Sequence, residues 1–85
     1  MITIYSLPIC PKCKLLKNHL EATKTAYIDD SLTKLLEDAD TMTELHMRGI
    51  TFKAAPVIRV GNSYHGPEEF FDGGKLNEEK LRRLL

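Results

Sequence analysis

The sequence predicts an α/β fold with the element order β-α-β-α-β-β-α, and three observations carry that reading. Ile2-Thr3-Ile4-Tyr5 alternates apolar and polar residues as a strand does, and the period then lengthens to that of a helix at Cys13, Leu16 and Leu20. A second strand-like run, Ala26-Tyr27-Ile28-Asp29, ending in Asp29-Asp30-Ser31, completes strand, helix and strand, the makings of a βαβ unit with a right-handed crossover. The β-branched run Val57-Ile58-Arg59-Val60, then Gly61-Asn62, then Ser63-Tyr64-His65, has the form of a hairpin closed by a two-residue turn.

Each element has local reasons. Ser6-Leu7-Pro8-Ile9 is a loop broken by proline, and Pro11 stands where the first helical residue falls. Proline suits that place, because its missing N–H would have no helical partner anyway. Lys14, Lys17 and Glu21 fall off the apolar stripe, and the helix is expected over 11–23. His19, between Leu16 and Leu20, reads as a flank residue of that helix. Leu32, Leu35, Leu36 and Ala39 fit a helical stripe, and Thr41 with Glu44 has the spacing of a capping box. The residues from 31 to 49 fit one helix or two short ones, stopped at Gly49. Pro56 opens the third strand, where it withdraws no interior ladder donor. Gly66-Pro67 and Gly73-Gly74 mark loops, and Asn77 caps a last helix with Glu78 and Glu79 at its positive end. Leu81, Leu84 and Leu85 are its expected inward face.

Composition narrows the function classes. The 85 residues suit one domain, 1–85, with 42% apolar and 28% charged residues. Lys plus Arg and Asp plus Glu number 12 each, so no basic surplus argues for nucleic acid and no acidic tract for disorder. No apolar run is long enough to span a membrane, and the N-terminus lacks the basic and apolar regions of a signal peptide. A cytoplasmic setting follows as the expectation, where a close cysteine pair reads as catalytic or metal-binding before structural.

Cys10-Pro11-Lys12-Cys13 holds the only two cysteines. A disulfide between them closes too short a loop to constrain the unfolded chain much, so a chemical role outweighs a structural one. A zinc site wants four ligands and this pair supplies two; His46 and His65 have no paired ligand spacing, and no metal is expected. Cys10 falls at the N-terminus of the first helix, where the dipole and free N–H groups favour a thiolate and Lys12 and Lys14 add positive charge. Its pKa is expected below the ordinary thiol value. Cys13, a turn further on and on the buried stripe, is expected to keep a higher one. That asymmetry makes Cys10 the attacking thiol and Cys13 the resolving thiol, with Lys12 tuning potential and partner preference.

On these residues the chain resembles the glutaredoxins of the thioredoxin superfamily. Tyr5-Ser6 followed by Cys10-Pro11-Lys12-Cys13 is similar to the family's active-site stretch. Ala55-Pro56-Val57-Ile58 is similar to its cis-proline segment, and Gly61-Asn62 with Gly66 to its hairpin and following glycine. The resemblance covers essentially the whole chain. It implies a thioredoxin-like three-layer fold with a mixed four-stranded sheet flanked by helices, a monomer, no bound cofactor and glutathione as reductant. It also implies a cis Pro56 facing the two sulfurs, leaving the Ala55 backbone to pair with a substrate strand.

Several positions depart from the family's pattern. Leu7 replaces a lysine that contacts the tripeptide's carboxylate, and Lys12 replaces a frequent tyrosine. Pro67-Glu68-Glu69 follows Gly66 where a second glycine and an aspartate usually help hold glutathione, so Glu68 or Glu69 could only imitate that contact. NrdH-type redoxins are the near alternative: the same fold, reduced by thioredoxin reductase and donating to ribonucleotide reductase. Ala55-Pro56-Val57 fits them, but residues 64–71 lack their Trp-Ser-Gly-Phe-Arg-Pro stretch. Either way the expected partners are disulfide-containing proteins and an electron donor. The substrate-binding candidates are Pro11, Lys12, Ala55, Pro56, Glu68 and Glu69. A reading from a different class is a non-catalytic redoxin-fold interaction module, with its cysteines incidental.

Overall fold

The computed structural model describes residues 2–52 and 54–85. The elements are β1 (Ile2–Ser6), α1 (Pro11–Ala22), β2 (Tyr27–Ser31), α2 (Leu32–Glu37), α3 (Ala39–Met47), β3 (Val57–Val60), β4 (Ser63–His65), β5 (Phe71–Asp72), β6 (Lys75–Leu76) and α4 (Glu78–Leu84), with a 3-10 turn at Pro67–Glu69. β1 to β4 form a sheet in the order β2-β1-β3-β4. β1 runs parallel to β2 and antiparallel to β3, and β3 is antiparallel to β4, so the sheet is mixed as expected.

Alternation along β1 sends its side chains to opposite faces. Ile2 and Ile4 pack with Leu16 and Leu20 of α1, Ile58, Phe70, Phe71 and Leu81 of α4. Tyr5 faces the other way, with Val57, Leu32 and Leu35 of α2, Ala55 and Cys13. Phe70, Ile4, Leu16, Leu20, Leu45, Ile58 and Leu81 are fully buried. Each such side chain contributes about 1.5–3 kcal/mol relative to exposure, an upper estimate because the unfolded chain is itself partly collapsed.

The undecided stretch is two helices. Asp38 separates them, in extended conformation (φ -80, ψ 95), and its carboxylate accepts from the Thr41 backbone N–H at 3.2 Å and from the Thr41 hydroxyl at 2.9 Å. Asp38, not Thr41, is therefore the N-cap, and the expected capping box gives way to a cap three residues earlier. Aspartate is at least as good a cap as threonine, and here it also holds Thr41. Gly49 ends α3 as expected: at φ 75 it brings its own N–H to the His46 carbonyl and that of Ile50 to the Leu45 carbonyl, a Schellman motif. Lys24 does the same for α1 at φ 57, without glycine.

Other boundaries move. β2 starts at Tyr27, one residue past Ala26, and runs to Ser31, paired with β1 up to Ser6. β3 starts at Val57, one residue past Pro56. Gly73-Gly74, read as a loop, is the turn of a small additional hairpin, β5–β6. Leu36 and Leu85, assigned to inward stripes, are 46% and 45% exposed, and Ala39 is exposed too. Leu35, Leu45 and Leu81 already fill the space beneath those helices. Asn77 caps α4 as expected, accepting from the Lys80 N–H at 3.0 Å.

Candidate functional site: a disulfide at a helix N-terminus

β1 ends at Ser6, the loop through Leu7, Pro8 and Ile9 turns the chain, and α1 begins at Pro11. Cys10 is the N-cap in extended conformation (φ -151, ψ 99), and Pro11 occupies the first turn. The Cys10 carbonyl accepts the first helical bond, from Lys14 N–H at 3.2 Å. Its Sγ accepts from the Cys13 backbone N–H at 3.1 Å. The sulfur thus takes the place a serine or aspartate oxygen holds in an ordinary cap, and the free N–H groups of α1 point toward it. Cys10 and Cys13 are joined as a disulfide, their Cα atoms 5.2 Å apart.

The two sulfurs differ in surroundings. Cys10 is partly exposed, whereas Cys13 is 2% exposed and packs with Tyr5, Leu32, Leu35, Ala55 and Val57. Ala55 and Pro56 are buried beside the pair's cluster, and the Ala55–Pro56 peptide is cis. The junction is tied at its base: Asp29 on β2 accepts from Ser6 Oγ at 2.9 Å and from Lys17 Nζ at 2.8 Å. Those bonds, the lysine's first, hold the Asp29 carboxyl below its ordinary pKa.

A hollow of about 580 Å³ opens beside the disulfide, lined by Leu7, Pro8, Ile9 and Pro11 with Lys14 and Lys17. A smaller hollow, about 280 Å³, is lined by Lys12, Pro67, Glu68, Phe71 and Gly73. Lys12 Nζ stands 5.7 Å from the Phe71 ring centroid, a cation–π distance. Of the two glutamates, Glu69 bonds His65 Nδ1 at 3.0 Å, while Glu68 folds its carboxylate against Gly66. A Cβ on Gly66 would meet Glu68 Oε1 at 2.6 Å, the end of a flexible side chain that can swing aside.

The structure therefore brings Cys10, Cys13, Pro11, Ala55 and Pro56 to one place, with Lys12 and Glu68 around the smaller hollow. Glu69 is turned away to His65. Sequence reasoning missed the exposed pair Leu7 and Ile9 (36% and 93%) and Phe71 beneath Lys12. Two apolar residues in a proline-broken loop were the available signal for the first; nothing local in the sequence announces the second. Among the described residues no group of three or more His, Cys, Asp or Glu is placed to hold a metal, and no helix is long and apolar enough to cross a membrane.

No family model matches the sequence, and no curated protein matches it. Among solved structures the chain is similar to the thioredoxin-like protein BC3987, crystallised as a threonine-to-alanine mutant. The TM-score is 0.62 with 23% identity, over 98% of this chain and 91% of that one. The chain thus has a thioredoxin-like fold, and the close Cys10–Cys13 pair at the start of its first helix is consistent with a redox function.

Proposed function

We propose that this chain is a dithiol thiol–disulfide oxidoreductase of glutaredoxin type, cycling Cys10 and Cys13 between dithiol and disulfide. The observation that carries the reading is the asymmetry of the pair: Cys10 caps the helix and reaches the surface, while Cys13 is buried a turn away. In the reduced protein the helix N-terminus favours the Cys10 thiolate. That thiolate attacks one sulfur of a substrate disulfide; the other sulfur leaves as a thiolate and takes a proton from water. Cys13 then gives its proton to water and attacks Cys10 Sγ as the thiolate, the second substrate thiolate leaves and takes up a proton, and the Cys10–Cys13 disulfide remains, two electrons having passed to the substrate.

Pro11 starts the helix immediately after the nucleophile and leaves no N–H competing for it. Ala55 and Pro56 form the buried floor against which a substrate backbone pairs, and Lys12 with Glu68 makes the flank. The oxidised protein is returned to the dithiol by glutathione or by thioredoxin reductase in a cytoplasmic setting, and works as a monomer. A second reading, the NrdH-type redoxin fed by thioredoxin reductase, is favoured by the local chemistry of the glutathione positions: Leu7 carries no charge, Pro67 has no N–H to give, and Glu69 is engaged with His65.

Two assays test this. Reduction of a protein disulfide by wild type and by Cys10→Ser separates a redox carrier from a non-catalytic module: wild type is expected to be active and the variant inert, and equal rates would remove the proposal. Glutathione with its reductase against thioredoxin reductase, side by side, then decides the donor. Turnover with glutathione supports the glutaredoxin reading, and turnover only with thioredoxin reductase the second.

A further inference from the structure

We infer that the disulfides this site reduces lie in acidic protein segments, with an Asp or Glu beside the reacting cysteine and an aliphatic residue nearby. The inference rests on the thiol–disulfide reading above and deepens it to a class of partner.

The chain as a whole is neutral, with 12 basic and 12 acidic residues, but charge is not evenly compensated around the sulfurs. Lys17 is paired with Asp29, Lys80 with Asp72 and Arg83 with Glu79. Lys12 and Lys14, on either side of Cys13 in sequence, pair with no carboxylate among the described residues. The acids that could neutralise them are otherwise engaged: Asp29 is held by Lys17 and Ser6, Glu69 by His65. Glu68 lines the hollow with Lys12 but forms no ion pair with it, so it offsets the Lys12 charge in part and leaves Lys14 uncompensated. Two ammonium groups without a carboxylate partner among the described residues thus adjoin the cysteines in the chain, Lys14 lining the hollow at the disulfide and Lys12 the smaller one over Phe71.

The larger hollow also has an apolar side. Ile9, immediately before Cys10, is 93% exposed, and Leu7 joins it in lining that space. A segment that lays an aliphatic side chain on Leu7 and Ile9 removes that surface from water. If the same segment carries a carboxylate beside its cysteine, it meets Lys14 or Lys12 within the same reach. A basic segment would be repelled by both lysines.

The test uses disulfide-linked homodimers of short blocked peptides, Ala-Leu-Xaa-Cys-Xaa-Ala, with Xaa as Asp, Ser or Lys. Each reaction is the two-electron exchange written above: protein dithiol plus peptide disulfide gives protein disulfide plus two peptide thiols. Rates are divided by those with dithiothreitol, a neutral dithiol, to remove the peptides' own reactivity. The expected Asp-to-Lys ratio is about tenfold at low ionic strength, the lower end of electrostatic steering, and it falls toward one at high salt. The double variant Lys12→Glu/Lys14→Glu is expected to invert the ratio, and Lys12→Met/Lys14→Met to bring it near one. Because the ratio compares peptides on one protein, altered folding or altered thiol reactivity in a variant divides out. A wild-type ratio near one, or a ratio unmoved by the double reversal, overturns the inference while reduction of the Ser peptide leaves the redox reading intact. If wild type reduces the Ser peptide no faster than Cys10→Ser does, the redox reading itself fails.

Discussion

Two segments meet where Lys12 stands over Phe71, near the disulfide, and they are built differently. On one side, residues 6–17 are placed by backbone rules: β1 ends, proline turns the chain, Cys10 caps and Pro11 starts the helix. On the other side, a 3-10 turn and the β5–β6 hairpin shape residues 65–73, and side-chain contacts are added to them. His65 takes Glu69, Glu68 lies on Gly66, and Phe71 packs on Phe70 with ring centroids 5.4 Å apart. The first wall sets its reactive sulfur where a capping oxygen would be. The second spends its polar groups internally and supplies shape. Chemistry and support are thereby divided between the walls, and variants in each should fail differently.

The largest expected effect lies in the first wall. Cys10→Ser should reduce disulfide exchange to the uncatalysed background, while the stability of the reduced protein in urea titration changes by less than about 1 kcal/mol, as for other half-exposed positions. Cys13→Ser should accumulate a mixed disulfide with substrate, detectable by mass, because no resolving thiol remains.

Phe70→Ala should show the opposite profile: a loss of about 3–5 kcal/mol in stability for an emptied aromatic site, with the exchange rate per folded molecule unchanged. A slowed rate in the fraction that remains folded would break the division between the walls.

Smaller effects come from the helix ends that support both. Asp38→Ala should cost about 1 kcal/mol by removing the α3 cap. Lys24→Gly should gain about 1 kcal/mol, since a non-glycine residue at positive φ carries a cost of that order. Thermal unfolding reads both.

The least is expected from Asp29, which is half exposed and well screened. Its folded pKa is lowered, so its contribution is present above the unfolded carboxyl value of 3.8 and is lost as pH falls through the folded value. Wild type should exceed Asp29→Asn in stability at neutral pH, and the difference should close in acid below that value.

The same division explains what could be read from the sequence. The first wall was legible down to single residues, because capping, proline placement and helical period are local rules: Cys10, Pro11 and the Cys13 stripe fell where expected. The hairpin turn at Gly61-Asn62, the stop at Gly49 and the Asn77 cap were legible for the same reason. The second wall was not. Whether Glu68 or Glu69 faces the site depends on which one His65 captures, a choice made by tertiary geometry. The split at Asp38 was hidden because Thr41 and Glu44 offered a plausible cap of their own, and Lys24 ends α1 without the glycine that would have announced it. Leu36 and Leu85 fit apolar stripes, yet other leucines had already filled the core.

The central claim, that the two sulfurs have different jobs because one caps a helix and the other is buried behind it, is tested most directly by alkylation. The fully reduced protein is pulsed with iodoacetamide at neutral pH, and modification at each cysteine is followed by peptide mass. The account predicts that Cys10 is modified first and Cys13 lags well behind. Equal rates, or Cys13 ahead of Cys10, would contradict it.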